Sequence, residues 1–312
     1  VNARNAQLNI FMKPNLNFYL CEQSEEPHRL AYLQWGDSDA ARTLICVHGL
    51  VRNCHDFDAL ASRLADKYRI ICPDVAGRGA SDWLSQPKNY TYATYISDFL
   101  ELLYSQALFP TYLGGILGYF GETQEHQIDW LGTSMGGLIG MSIAAMPNSP
   151  INRLILNDIG AFIPQAALSR IATYLRHTPT CFTDLTAAEQ HFRQIYSNFG
   201  QLTDSQWQYL TYHSVRPLLD GGYQVHYDPK IAQVFNQTVK DTTLWQMWEN
   251  IRCPVLILHG ARSDVLTTEI VAEMCRIHPQ TQIAEFADVG HAPPLLNDAQ
   301  QSVVDAWLQS NP

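Results

Sequence analysis

The sequence is short of positive charge. Lys and Arg total 20 against 30 Asp and Glu, a formal net charge of -10, and the basic residues form no cluster. Duplex nucleic acid is therefore a poor partner. Long apolar runs are also missing. None approaches the roughly 18 residues that suggest a spanning helix, so no integral membrane segment is expected. The opening residues, "VNARNAQLNIFMKPN", lack the basic-then-apolar layout of a signal peptide. The seven cysteines (Cys21, Cys46, Cys54, Cys72, Cys181, Cys253 and Cys275) include no C-x-x-C pair and keep no regular spacing. A disulfide framework is thereby disfavoured, and a cytoplasmic location is expected. The histidines show no H-E-x-x-H or comparable ligand spacing, so no catalytic metal is expected.

What is present is core-forming material. The chain has 312 residues, 46% of them hydrophobic, ample for a buried core without staples. "NLNFYLCEQ" (15–23) and "HRLAYLQWGD" (28–37) read as an early hairpin. Continuous apolar runs follow at 43–49, 69–75, 128–134, 151–158, 254–264 and 281–288. Segments of helical spacing lie among them at 56–68, 91–106, 135–146, 267–277 and 298–309. Apolar strands alternating with helices predict a mostly parallel, eight-stranded sheet covered on both faces, an α/β fold. The alternation stops between 159 and 249, a stretch rich in Tyr, His and Trp. It is far longer than a loop, which rarely exceeds about 15 residues. The expected organisation is a core formed by 1–158 and 250–312, with 159–249 inserted as a helical cap. The apolar, glycine-rich stretch 108–127 is an extra piece between a helix and the next strand.

Chemistry is suggested by "DWLGTSMGG" (129–137). G-x-S-x-G is weak alone, but here Ser134 falls where a strand meets a helix. A nucleophile on so tight a turn needs small neighbours, which Gly132 and Gly136 supply. The hydroxyl then stands at a helix N-terminus, whose dipole favours a developing anion. A serine hydroxyl needs a base, and "VGHAPP" supplies His291 in a late loop. An acid must fix that histidine's tautomer. "LHGARSD" supplies Asp264 just past a strand, with Asp158 at the end of "LILND" as the rival. Oxyanion donors are expected from the backbone N–H groups of Met135 and of Leu50 in "VHGLVRN", with Val51 as the fallback. His48 is expected to brace that loop, and Arg78 and Asp82 to form a structural network. Arg52, Asn53 and Trp83 are open between substrate contact and packing.

The motifs His48-Gly49, "DVAGRGASD", "GTSMGG", "GARSD" and "GHAP" resemble the α/β-hydrolase fold superfamily along nearly the whole chain. The resemblance is to its serine-nucleophile branch with a helical cap. It implies the order Ser134, Asp264, His291 and no cofactor. Serine at 134 argues against dehalogenases and epoxide hydrolases, which use aspartate. The loop "HGLVRN" lacks the glycine-proline pattern of iminopeptidases and of many carbon–carbon hydrolases. The expected activity is hydrolysis of short- to medium-chain carboxylic esters of small molecules through an acyl-enzyme. A carbon–carbon hydrolase acting on a vinylogous diketone and a receptor-like binder are the alternatives. A homodimer is left open.

Overall fold

The computed structural model describes residues 13–106, 108, 127–219, 221–236 and 240–310. The glycine-rich stretch 109–126 lies outside the described residues.

Eight strands form one sheet: β1 (Asn15–Cys21), β2 (His28–Trp35), β3 (Arg42–Val47), β4 (Arg69–Pro73), β5 (Gln127–Thr133), β6 (Ile151–Asn157), β12 (Val255–Gly260) and β13 (Gln282–Phe286). Between β6 and β12 come five short strands: β7 (Phe162–Ile163), β8 (Cys181–Phe182), β9 (Val215–Pro217), β10 (Tyr223–Val225) and β11 (Thr242–Thr243). The sheet order is β1-β2-β4-β3-β5-β6-β12-β13. The β1–β2 hairpin and the β2–β4 pair are antiparallel, and every other pairing is parallel.

The continuous apolar strands are explained by two-sided burial. Successive residues of β3 go to opposite faces: Leu44 and Cys46 to one core, Ile45 and Val47 to the other. Helices α1 (Asp58–Leu64) and α9 (Asp298–Ser310) cover the first face, through Leu60, Leu64, Val304 and Leu308. Helices α2 (Tyr92–Ser105), α3 (Met135–Ala144), α7 (Trp245–Asn250) and α8 (Thr268–Ile277) cover the second, through Phe99, Ile139, Trp248 and Met274.

The inserted segment carries α4 (Gln165–His177), α5 (Leu185–Ile195) and α6 (Asp204–Ser214). Its helix starts follow from local chemistry. The Asp184 side chain accepts from the Ala187 N–H at α5. Thr203 and Gln206 form a reciprocal capping box at α6, which satisfies two otherwise orphaned donors. β10 pairs antiparallel with both β9 and β8, giving the segment a small three-stranded sheet. At the neck, β11 pairs with β7 and ties the end of the segment back to its start.

One buried ion pair locks the sheet to α9. Arg153 on β6 donates from Nε to Asp129 Oδ1 on β5 at 2.7 Å and from Nη1 to the Leu308 carbonyl at 2.7 Å. Both side chains are almost fully buried. Removing one member of such a pair strands the other charge in a low-dielectric core. Asp129→Ala is therefore expected to lower unfolding stability by about 3–5 kcal/mol, read by urea denaturation. A loss under about 1 kcal/mol would mean that the pair carries no such weight.

Candidate active site

The tight turn after β5 sets the position of Ser134. Its φ of 51° and ψ of -111° place it in a region that L-residues rarely occupy. Its N–H is held by the Asn157 carbonyl at 3.0 Å. The flanking glycines are required by contact. A Cβ on Gly132 would stand 2.2 Å from the Gly136 carbonyl, and one on Gly136 would stand 2.1 Å from the Val47 carbonyl oxygen.

His291 meets Ser134 from the loop after β13. The Ser134 hydroxyl lies 2.9 Å from His291 Nε2, and His291 Nδ1 lies 2.8 Å from Asp158 Oδ2. An ionised carboxylate only accepts, so Nδ1 carries the proton and Nε2 turns its lone pair to the hydroxyl. Asp158 is fully buried, one residue past β6, with φ of 56°. It also accepts the Gly260 N–H on Oδ1 at 2.8 Å and the Ser263 hydroxyl on Oδ2 at 2.5 Å. A carboxylate so surrounded is fixed in position and cannot swing from the imidazole.

Sequence reasoning puts Asp264 against His291; the structure puts Asp158 there. The physical reason lies in the loop after β12. Ser263 turns inward to Asp158 and receives the N–H groups of Val265 and Leu266. Asp264, the next residue, then faces outward and pairs with Arg170 on α4, at 2.5 and 2.8 Å. Burial raises the Asp264 carboxyl pKa, but the hydrogen bonds and charge of Arg170 outweigh it, leaving the carboxyl below its ordinary value. The loop after β12 instead orients the carboxylate that follows β6, through the Gly260 N–H and the Ser263 hydroxyl. Ser263 and Gly260 were not singled out from the sequence, and nothing in their spacing marks them.

Leu50 and Met135 border the same cavity as Ser134. The loop carrying Leu50 is braced from behind. His48 Nδ1 donates to the Gly49 carbonyl at 2.7 Å, while its Nε2 accepts from the Val75 N–H at 3.0 Å. Burial pushes the His48 pKa down to about 3, so the ring is neutral. The fully buried Arg78 donates to the carbonyls of Leu50 at 2.9 Å and Ala76 at 2.6 Å. Asp82 takes the Arg29 N–H and ties the following loop to β2. Two consecutive carbonyls, those of Gly49 and Leu50, are thus committed to side chains.

Arg52 and Asn53 join the loop after β3 to α6 of the inserted segment. Arg52 Nε lies 3.0 Å from Asp56 Oδ1, and its Nη1 donates to the Ser214 hydroxyl at 2.5 Å. Asn53 donates to the His213 carbonyl at 2.7 Å. Trp83 packs under the Arg216 guanidinium, 4.3 Å from its ring centre. The cavity over Ser134 measures about 520 Å³. Its walls are mostly aliphatic and aromatic, among them Leu138, Ile159, Ile171, Tyr174 and Phe199, with Arg170, Lys240 and Asp241 also on its border.

Among the described residues, two groups bring metal-ligand atoms within 4.8 Å: Cys21, His28 and Asp98, and His55, Asp58 and His213. In the first, both nitrogens of His28 are taken, by the Glu26 carbonyl and by Asp98. In the second, the His55 and His213 rings stack 3.8 Å apart, so their lone pairs run side by side instead of converging. Neither group borders the Ser134 cavity.

The alpha/beta hydrolase family model matches residues 44–306. The chain belongs to this family. The α/β hydrolase is 38% identical over 304 residues to the 3-hydroxybutyrate-oligomer hydrolase of Cupriavidus necator, covering 95% of this chain and 98% of that one. It is 24% identical over 290 residues to a cis-3-alkyl-4-alkyloxetan-2-one decarboxylase from Shewanella oneidensis, covering 90% and 84%. A solved Rickettsia typhi structure superposes with a TM-score of 0.84 at 33% identity, covering 95% of this hydrolase and 99% of its own chain. Among the described residues, no helix is long and apolar enough to cross a membrane.

The geometry separates the two aspartates by experiment. Asp158→Asn is expected to lower hydrolytic kcat/KM by up to about 10⁴-fold, since an amide at that position favours the wrong tautomer. Asp264→Asn loses only a half-exposed ion pair, worth at most about 1 kcal/mol, and is expected to stay within roughly tenfold of the parent. Steady-state kinetics on a p-nitrophenyl ester decide between them, and the reverse order would return the acid to Asp264.

Proposed function

We propose that this hydrolase cleaves carboxylic esters of small to medium, mostly apolar molecules through an acyl-enzyme on Ser134. Short oligoesters of 3-hydroxy acids are its favoured class. The observation that carries the reading is the Ser134–His291–Asp158 hydrogen-bonded chain opening on a largely apolar cavity of about 520 Å³. The oligoester class is supported by the 38% identity to a hydrolase of 3-hydroxybutyrate oligomers.

In this reading His291 Nε2 takes the Ser134 proton as the hydroxyl oxygen attacks the ester carbonyl. Asp158 stabilises the resulting imidazolium without taking its proton. The negative oxygen is received by the backbone N–H groups of Leu50 and Met135, each worth about 3 kcal/mol if they act as such donors usually do. Turning the Gly49 carbonyl onto His48 directs the Leu50 N–H of the same planar peptide the opposite way, and the Ser134 carbonyl, taken by the Gly137 and Leu138 N–H groups, does the same for the Met135 N–H. The tetrahedral intermediate collapses, His291 returns its proton to the departing alkoxide, and the acyl group stays on Ser134. Water then adds by the same route in reverse and releases the acid. No cofactor enters either half.

Ser134→Ala is expected to abolish both hydrolysis and covalent labelling by a fluorophosphonate, with the circular dichroism spectrum retained. Labelling that persists in the variant would move the nucleophile elsewhere. Across acetyl, butyryl, octanoyl and palmitoyl esters, kcat/KM is expected to peak at the short to medium chains and to collapse at palmitoyl. A ring-fission diketone turned over orders of magnitude faster than every ester would shift the reading to carbon–carbon cleavage. Tight binding with no turnover would favour the receptor-like one.

A further inference from the structure

The cavity is not uniformly apolar. Arg170 borders it together with Ser134 and His291, and the guanidinium is held edge-on by Asp264 through Nε and Nη2. A guanidinium offers five N–H donors in a fixed fork. The Nη1 donors of Arg170 take no partner among the described residues. Lys240 lies on the same cavity border, and its ammonium likewise takes no partner there. The other charge on that border, Asp241, accepts the Gln165 N–H at the start of α4.

We propose that Arg170, oriented by Asp264 and assisted by Lys240, is a subsite for a carboxylate on the substrate's leaving group. This rests on the ester-hydrolase reading and narrows it. The preferred ester is one whose alcohol portion carries a free carboxylate a few bonds from the ester oxygen. In an oligomer of a 3-hydroxy acid, the terminal unit has this form: its carboxylate is two carbons from the esterified oxygen. Anchoring that end sets the polarity of cleavage. The ester nearest the free carboxyl lies over Ser134, water is added across its acyl carbon–oxygen bond, and one hydroxy acid leaves per turnover.

Three features support the assignment. Arg170 projects from the same stretch of α4 as Leu168 and Ile171, which line the apolar wall, so the charge joins directly onto the pocket. Bidentate geometry suits Arg for carboxylates. Asp264 engages one edge of the guanidinium and presents the other, leaving a fixed donor pair in place of a free, mobile side chain. Arg170 and Asp264 are each nearly half exposed. Screening keeps the effect moderate, on the order of tenfold in affinity.

The test uses the 3-hydroxybutyrate trimer as the free acid, the same trimer capped as its N-methylamide, and p-nitrophenyl butyrate as an ester without a carboxylate. For the parent protein, kcat/KM is expected to favour the free acid over the amide by about tenfold, mostly through KM. That preference should shrink as salt rises. Arg170→Gln is expected to remove the preference and Arg170→Lys to keep part of it. With a trimer labelled in its carboxyl-terminal unit, the first product should be labelled monomer. Equal rates for acid and amide in the parent would overturn the subsite, as would a preference that survives in Arg170→Gln or release of unlabelled monomer first. Turnover of p-nitrophenyl butyrate in those cases leaves the ester reading standing. Absence of turnover on all three esters would remove that reading and the subsite with it.

Discussion

The strained turn at Ser134 is the constraint on which the rest of the site depends. A left-handed serine between a strand and a helix is tolerated only because the chain can close tightly about it. That closure needs two positions without side chains, since Gly132 would strike the Gly136 backbone and Gly136 the Val47 carbonyl. β5 therefore meets α3 at a separation that no larger residue permits. Asn157 at the end of β6 carries part of the hold: its carbonyl takes the Ser134 N–H, and its side chain donates to Thr133 Oγ1 and the Pro293 carbonyl. β5, β6 and the loop that carries His291 are thus joined at a single residue.

The fold was largely legible because its signal is repetitive. Every long apolar run became a sheet strand, and the helices between them fell within a few residues of the expected bounds. The order of the strands was not legible, because alternation of elements says nothing about which strands lie side by side. The aspartate that meets His291 was not legible for a different reason. Asp158 and Asp264 both follow apolar strands, and both stand near the cavity. The choice between them depends on which way each side chain turns. A single inward serine, Ser263, settles it by taking the inner side of its loop and leaving Asp264 outside. Hydrogen bonds of that kind have no period and no spacing rule, so local sequence could offer two candidates but could not rank them correctly.

Polar groups near the cavity separate into those that face the reacting atoms and those that hold the frame. His48, Arg78 and Asn157 are buried, do not border the cavity themselves, and bond to the chain that does or to the loop of His291. They resemble catalytic residues in type, and His48 lies beside the loop that carries Leu50, but burial keeps its ring neutral and both its nitrogens are occupied. Their contribution is to fix backbone direction. For a reaction whose stabilising donors are amide groups, backbone direction is itself the active feature.

The joint between the two parts of the molecule has a mechanical meaning. Arg52 reaches Ser214 and Asn53 reaches the His213 carbonyl, while the Tyr209 hydroxyl bonds Asp58. Ser214, His213 and Tyr209 all belong to α6, and Arg52, Asn53 and Asp58 all fall within nine residues of Leu50. A displacement of α6 must release Arg52 or Asn53 and so pull on the strip of chain that carries the proposed anion-binding amides. The contacts that seat α6 and the amides proposed to receive the anion thus share one short strip of chain, so a substitution that loosens α6 would be felt at those donors without touching the cavity wall.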